Sequence, residues 1–258
     1  MDILGWTTSF DHLALLLAAA FVAGALNAVA GGGSFLTLPA LVFAGVPPVA
    51  ANATGTVALL PGYMAGAWGF REDMQPPPGL SVRAVIALSI VGGAAGAALL
   101  LVTPDATFRR VVPWLLLAAT ALFAFGPQLR QWAGSTSHGQ PSVTRAALGM
   151  LGVAAYGGYF NGGLGILLLA LFGLLGQTQL NAMNGMKNLV SALLTAIAVA
   201  IYAAGGIVQW PQALVMMLAA TLGGYGGARL ARRIPAPVLR WGIVATGLVM
   251  AGLFFGQK

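Results

Sequence analysis

The sequence predicts an all-helical polytopic membrane protein of two inverted-topology repeats. Each repeat has about five helical segments, and some of these are Gly-broken re-entrant or discontinuous helices. Three observations lead there: a near absence of charge, a succession of long apolar runs, and a pattern that recurs at an offset of 131 residues. Only 12 Lys or Arg and 5 Asp or Glu occur in 258 residues, 7% in all, while 59% are hydrophobic and the mean hydropathy is +0.88. A soluble domain carries roughly 25% charge. Too little polar side chain is present to cover a water-facing surface, which excludes a soluble enzyme, a disordered chain and a nucleic-acid binder. The net charge of +7 then reads as cations holding loops at the cytoplasmic face.

Ten apolar runs follow one another, each ended by Gly, Pro or charge. The first, 13–30, stops at Gly31-Gly32-Gly33, and the second, 34–44, at Gly45 and Pro47-Pro48. The third, 49–70, meets Arg71-Glu72-Asp73 and the triplet Pro76-Pro77-Pro78, and the fourth, 84–102, meets Pro104. The fifth, 111–125, follows Arg109-Arg110 and stops at Gly126-Pro127. After a polar stretch come 146–159, closed by Asn161-Gly162, and 163–176, closed by Gln177. The last three are 182–204, 212–228 and 241–255, separated by Gly205-Gly206 and by a stretch holding Arg229, Arg232, Arg233 and Pro235. A spanning helix needs about 20 residues. The runs 34–44, 111–125, 146–159 and 163–176 are too short for that. The continuity of the runs excludes the alternation of a membrane barrel.

The repeat is visible residue by residue. Gly92, Gly93, Gly96, Ala97 and Leu99 recur as Gly223, Gly224, Gly227, Ala228 and Leu230. Pro104 and Arg109 recur as Pro235 and Arg240, and Gly31-Gly32 as Gly162-Gly163. The expected organisation is a first membrane repeat at 1–130, a cytoplasmic linker at 131–145 and a second, inverted repeat at 146–258. Five segments per half make the second insert upside down. With the linker in the cytoplasm, Arg71, Arg83, Arg130, Arg145, Arg229, Arg232, Arg233 and Arg240 fall inside, against Arg109, Arg110 and Lys258 outside. The positive-inside rule therefore places both termini outside, with Asp2 and Asp11. No cation precedes Arg71, so no cleaved leader is expected. The Trp residues at 6, 68, 114, 132, 210 and 241 fall near run ends, as interfacial anchors do.

Two places could carry chemistry. In Asn27-Ala28-Val29-Ala30-Gly31-Gly32-Gly33-Ser34, the Gly triplet lets backbone N–H groups converge where a helix begins, a setting that favours an anion. Ser34 offers an N-cap hydroxyl. The second half has Asn161-Gly162-Gly163-Leu164-Gly165 at the same repeat position. The structural alternative is a tight hairpin whose glycines serve packing. The other place is Lys187, the one cation inside an expected span, among Asn181, Asn184 and Asn188. No acid lies in any expected span to pair with it. Either it snorkels to the interface, or its counter-ion is the substrate. Its repeat-mate is Thr56, which follows Asn52 and Thr54. Gly92/Gly96 and Gly223/Gly227 are small-xxx-small pairs for close helix crossing, and Gly-rich faces of this kind would also suit a homodimer. No Asp, Glu, His or Cys cluster suggests a metal, a cofactor or a catalytic residue, so the sequence reads as a non-enzyme.

The stretch Asn27–Pro39, the segment Ala51–Thr56 and the paired Gly-rich blocks at 92–99 and 223–230 resemble the TauE/SafE sulfite exporter family over nearly the whole chain. The resemblance implies movement of sulfite, organosulfonates, thiosulfate or related sulfur anions across a bacterial inner membrane. It also implies that the two Gly hairpins and the polar helices after them form the pathway. The expected function is a secondary transporter exporting a small sulfur oxyanion by alternating access. Import of thiosulfate and an anion channel are the alternatives. The expected partners are the small anion and lipid, with no nucleic acid.

Overall fold

A computed structural model describes residues 10–29, 31–136, 142–231 and 236–256. Ten helices make up the described chain: α1 Phe10–Val29, α2 Ser34–Phe43, α3 Pro48–Gly69, α4 Val82–Leu101, α5 Asp105–Thr136, α6 Val143–Tyr159, α7 Leu164–Leu174, α8 Leu180–Ala204, α9 Trp210–Ala231 and α10 Ala236–Gly256. Each corresponds to one expected apolar run. Expectations about Asp2, Trp6, Ala30, Ser137-His138-Gly139, Arg232, Arg233, Pro235 and Lys258 fall outside the described residues.

Local chemistry sets the ends. Pro47 and Pro48 open α3, with Pro at N1 where no N–H is needed. Ser81 caps α4, its hydroxyl accepting from the Ala84 N–H at 3.2 Å. Gly45 and Gly176, 131 residues apart, close α2 and α7 alike, with φ of 87° and 88°. The Val46 N–H reaches back to the Leu41 carbonyl (3.0 Å) and the Gln177 N–H to that of Phe172 (2.9 Å), the pattern of a left-handed C-terminal cap.

One length differs from expectation. The run 111–125 was too short to span, yet α5 has 32 residues, about 48 Å at the helical rise. It starts straight after Pro104 with Asp105 in its first turn, and it continues past the apolar run through Gln128–Trp132 to Thr136. A helix ends where backbone signals stop it, not where its residues become polar, so the first six residues of the expected linker are helical. α2 and α7 are short, at 10 and 11 residues, about half the thickness of the hydrocarbon.

Helices from opposite ends of the chain interleave. α1 packs along α9 and α4 along α6; α3 crosses α8, and α5 lies on α10. α3 also meets α9, and α4 meets α8; α2 rests on α1, α3 and α10, and α7 on α6, α8 and α5. Exchanging the halves, α1 for α6 through α5 for α10, turns this set of pairs into itself: α3·α8 and α5·α10 are unchanged and the others trade places. The small-residue motifs are used in these crossings. A Cβ on Gly96 would sit 2.0 Å from the Ala155 carbonyl oxygen, and one on Gly223 would sit 1.9 Å from that of Phe21. Backbones this close gain dispersion contacts over the whole crossing.

Large apolar side chains also face outward, among them Phe21, Val91, Leu99, Leu148, Leu218, Leu222, Leu248 and Leu253. Exposed aliphatic surface on many helices at once suits lipid and not water. By length and composition, α4 and α8 can cross a membrane.

Candidate functional site

The two glycine hairpins meet inside the molecule. Gly31, with φ of 82°, approaches the start of α7 so closely that a Cβ there would lie 3.0 Å from the Gly165 Cα. Gly32, Gly33, Gly162 and Gly163 are buried around this contact. Gly33, not Ser34, occupies the N-cap position of α2, and no side chain caps that helix. The expected capping role of Ser34 is therefore corrected: its hydroxyl is buried and makes no hydrogen bond.

A chain of polar contacts runs outward from the hairpins. The Tyr63 hydroxyl on α3 donates to Asn161 Oδ1 at 3.1 Å and lies within reach of the Asn27 side chain. Asn161 Nδ2 makes a long 3.5 Å contact with Thr195 Oγ1 on α8. Thr195 begins a stripe with Ser191 and Lys187, spaced four residues apart on one face of α8 and buried throughout. The Ser191 hydroxyl has no partner. On the other side of the crossing, a Cβ on Gly66 would sit 2.7 Å from Asn188 Nδ2. α3 and α8 are antiparallel here, since Phe70 faces Gly185 near the end of one and the start of the other.

Lys187 is 3% exposed, and it is the only charged side chain buried among the residues whose side chains are described. No hydrogen bond or ion pair holds it there; the salt bridge among the described residues is the exposed pair Arg71–Glu72. Burying an unpaired cation costs several kcal/mol, so this arrangement needs a reason beyond stability.

The remaining expected residues divide. Asn27 is buried with Oδ1 unpaired, and Asn184 and Asn188 are half-buried on the first turns of α8. Asn52 is buried, and its amide donates to the Tyr159 carbonyl at 3.0 Å. Thr56 returns its proton to the Asn52 carbonyl of its own helix (2.7 Å). Gly162 offers a carbonyl that Tyr156 already occupies (2.6 Å). Two residues leave the set. Thr54 accepts from the Gln209 N–H (3.0 Å), which fastens α3 to the α8–α9 loop. Asn181 is exposed at the start of α8.

Tyr63, Ser191 and Thr195 join the set, and the sequence reading missed them. The signal for two of them was present: Lys187, Ser191 and Thr195 are polar at helical spacing in an apolar run. Tyr63 carried none, since a lone aromatic in such a run reads as core. Among the described residues no group of His, Cys, Asp or Glu could hold a metal. Chemically, the cluster offers hydroxyl and amide donors with one cation and no carboxylate, the complement of a small anion.

A family model described as "Sulfite exporter TauE/SafE" matches residues 16–254. The chain is similar to a probable membrane transporter protein of Haemophilus influenzae, 29% identical over 253 residues and 93% of both chains. It is similar to the probable membrane transporter protein ORF9 of a Sinorhizobium species, 29% identical over 250 residues, 94% of this chain and 92% of the other. A third relative is the probable membrane transporter protein YfcA of Escherichia coli K12, 28% identical over 241 residues, 93% of this chain and 88% of the other. No solved structure matches the chain.

Proposed function

This chain belongs to the TauE/SafE sulfite exporter family, a family of membrane proteins, and from that premise we propose that it exports a small sulfur-containing oxyanion, sulfite or an organosulfonate, across the bacterial inner membrane by alternating access. The observation that carries the reading is Lys187: a buried cation with no protein partner, on a helix that packs against both α3 and α4 of the other half. The transported anion is its counter-ion. One full charge binds an anion and still releases it. The hydroxyls of Ser34 and Ser191 and the amides of Asn27, Asn184 and Asn188 supply the remaining polar groups.

The rocking element is the pair of halves, 1–130 and 146–258, inserted with opposite topology. Support comes from the exchange symmetry of the helix neighbours, the matching ends of α2 and α7, and the meeting of the two hairpins at Gly31 and Gly165. Inverted repeats with broken helices at their interface are a transporter architecture. A homodimer in the bilayer would use outward faces, since Gly96 and Gly223 are spent on crossings within the chain. Moving one charge through the membrane is worth about 2.3 kcal/mol per 100 mV, and an interior-negative potential drives an anion outward without a coupling ion. The cation asymmetry supports an orientation with residues 131–145 in the cytoplasm and both termini outside.

The test is efflux of labelled sulfite, thiosulfate and sulfonates from proteoliposomes at set potentials. Faster loss than from empty liposomes, accelerated by an interior-negative potential and accompanied by counterflow, is expected. Equal loss from both would end the proposal. Orientation is read separately: in this Cys-free chain, Ser137→Cys reacts with impermeant maleimide only from the cytoplasmic side.

A further inference from the structure

The closest backbone approaches among the described residues join helices from different halves. A Cβ on Gly24 would sit 1.9 Å from the Ala220 carbonyl oxygen, and one on Gly223 would sit 1.9 Å from that of Phe21, so α1 and α9 meet backbone to backbone twice. α4 and α6 do the same. A Cβ on Gly96 would sit 2.0 Å from the Ala155 oxygen, and one on Gly158 would sit 2.2 Å from that of Gly93. Such crossings fit in one register, because sliding drives a carbonyl into the facing backbone.

The rest of the packing divides in the same way. One apolar core joins Val85 of α4 to Met150 and Ala154 of α6, Leu168 of α7, and Met186 and Val190 of α8, and its buried members come from those four helices alone. Met74 and Leu80, which lead into α4, pack on this core, and the Gln75 carbonyl between them accepts from Gln177 beyond α7 at 2.8 Å. α9 instead packs on α1 and α3, and the Gln209 N–H just before it donates to Thr54 of α3. Contacts between the two groups rest on side chains. On the α3–α8 crossing Gly66 faces the Asn188 amide, and the bonds from Asn52 to the Tyr159 carbonyl and from Tyr63 to Asn161 cross the same seam. α5 lies on α7 and also touches α3, α10 lies on α2, and the two meet where Gly247 faces the Thr120 hydroxyl. Side-chain contacts rearrange by rotamer changes while packed helices shift.

We infer that the bodies that move against each other are not the two sequence halves as such, but halves that have exchanged one helix: α1, α2 and α3 with α9, and α6, α7 and α8 with α4. The seam is the α3–α8 crossing, and α8 is the helix that carries Lys187. The chain crosses between bodies before Met74 and at Gly205-Gly206, where Gly206 has φ of 70° and open space around a Cβ. The inference rests on the alternating-access reading and redraws its moving bodies by one helix each.

The chain has no Cys, so cysteines for spin labels can replace four exposed apolar side chains: Val22 of α1, Val91 of α4, Leu148 of α6 and Leu218 of α9. Label distances are measured in proteoliposomes with and without saturating sulfite. Val22–Leu218 and Val91–Leu148, which cross the halves within one body, are expected to hold. Val22–Val91 and Leu148–Leu218, which stay within a half and cross bodies, are expected to shift by several ångströms. The opposite pattern, or movement of all four pairs, overturns the inference and leaves alternating access intact. No shift in any pair overturns the inference and alternating access together, while sulfite efflux from the same proteoliposomes decides separately whether the anion is carried.

Discussion

Replacing Lys187 by Met should move stability and binding in opposite directions. The side chain is 3% exposed and unpaired, so the folded protein bears the desolvation of an ammonium without compensation. That penalty is several kcal/mol per buried ion in real proteins. Met matches the length of the Lys stem and removes the charge, and it adds no polar atom that needs a donor. If only about 2 kcal/mol of the penalty is recovered, the melting temperature rises by roughly 4–8 °C for a chain of this size. Binding moves the other way. A hydrogen bond to a charged group is worth about 1.5–3 kcal/mol, so its loss weakens anion affinity by roughly 10- to 150-fold. Thermal unfolding in detergent without added anion gives the first quantity, and titration of the transported anion into wild type and variant gives the second. A Lys187→Met protein that melts several degrees lower and binds anion with unchanged affinity would refute the reasoning, because Lys187 would then be a structural cation whose partner lies within the protein.

Gly96→Ala should sharply reduce the yield of folded protein by fluorescence-detected gel filtration, because the new Cβ meets the Ala155 carbonyl oxygen at 2.0 Å; Gly152→Ala, with nothing within 4 Å, should fold normally. Tyr63→Phe leaves Asn161 Oδ1 buried without its donor, which should cost about 1–3 kcal/mol and appear as a lowered melting temperature. Gly45→Ala and Gly176→Ala add a methyl group to open space but force φ near 87° on an L-residue; each should cost about 1–2 kcal/mol. The two losses should be equal in thermal unfolding if the halves share one local design.

The candidate cluster was legible in part. Asn27, Ser34 and Lys187 stood out because a polar or Gly-rich interruption of an apolar run is conspicuous in sequence. Tyr63 did not, because its role depends on Asn161 arriving from a hairpin 98 residues away. Thr54 and Asn181 looked equivalent to their neighbours, yet α3 and α8 present them elsewhere. In helices this uniformly apolar, no polar face marks which side is inside, and only the crossing partners choose it. The sequence by itself determined where most helices start and stop, α5 apart, because Pro, Gly and capping hydroxyls act on backbone within a turn. It also carries the recurrence at an offset of 131 residues, while the matching left-handed glycines at 45 and 176 came from the structure. Only the tertiary structure decided that the two hairpins touch and that α5 runs on through the first six residues of the apparent linker. It also decided that Lys187 is buried without a hydrogen bond or ion pair, since burial is a property of what packs against a residue and not of the residue itself.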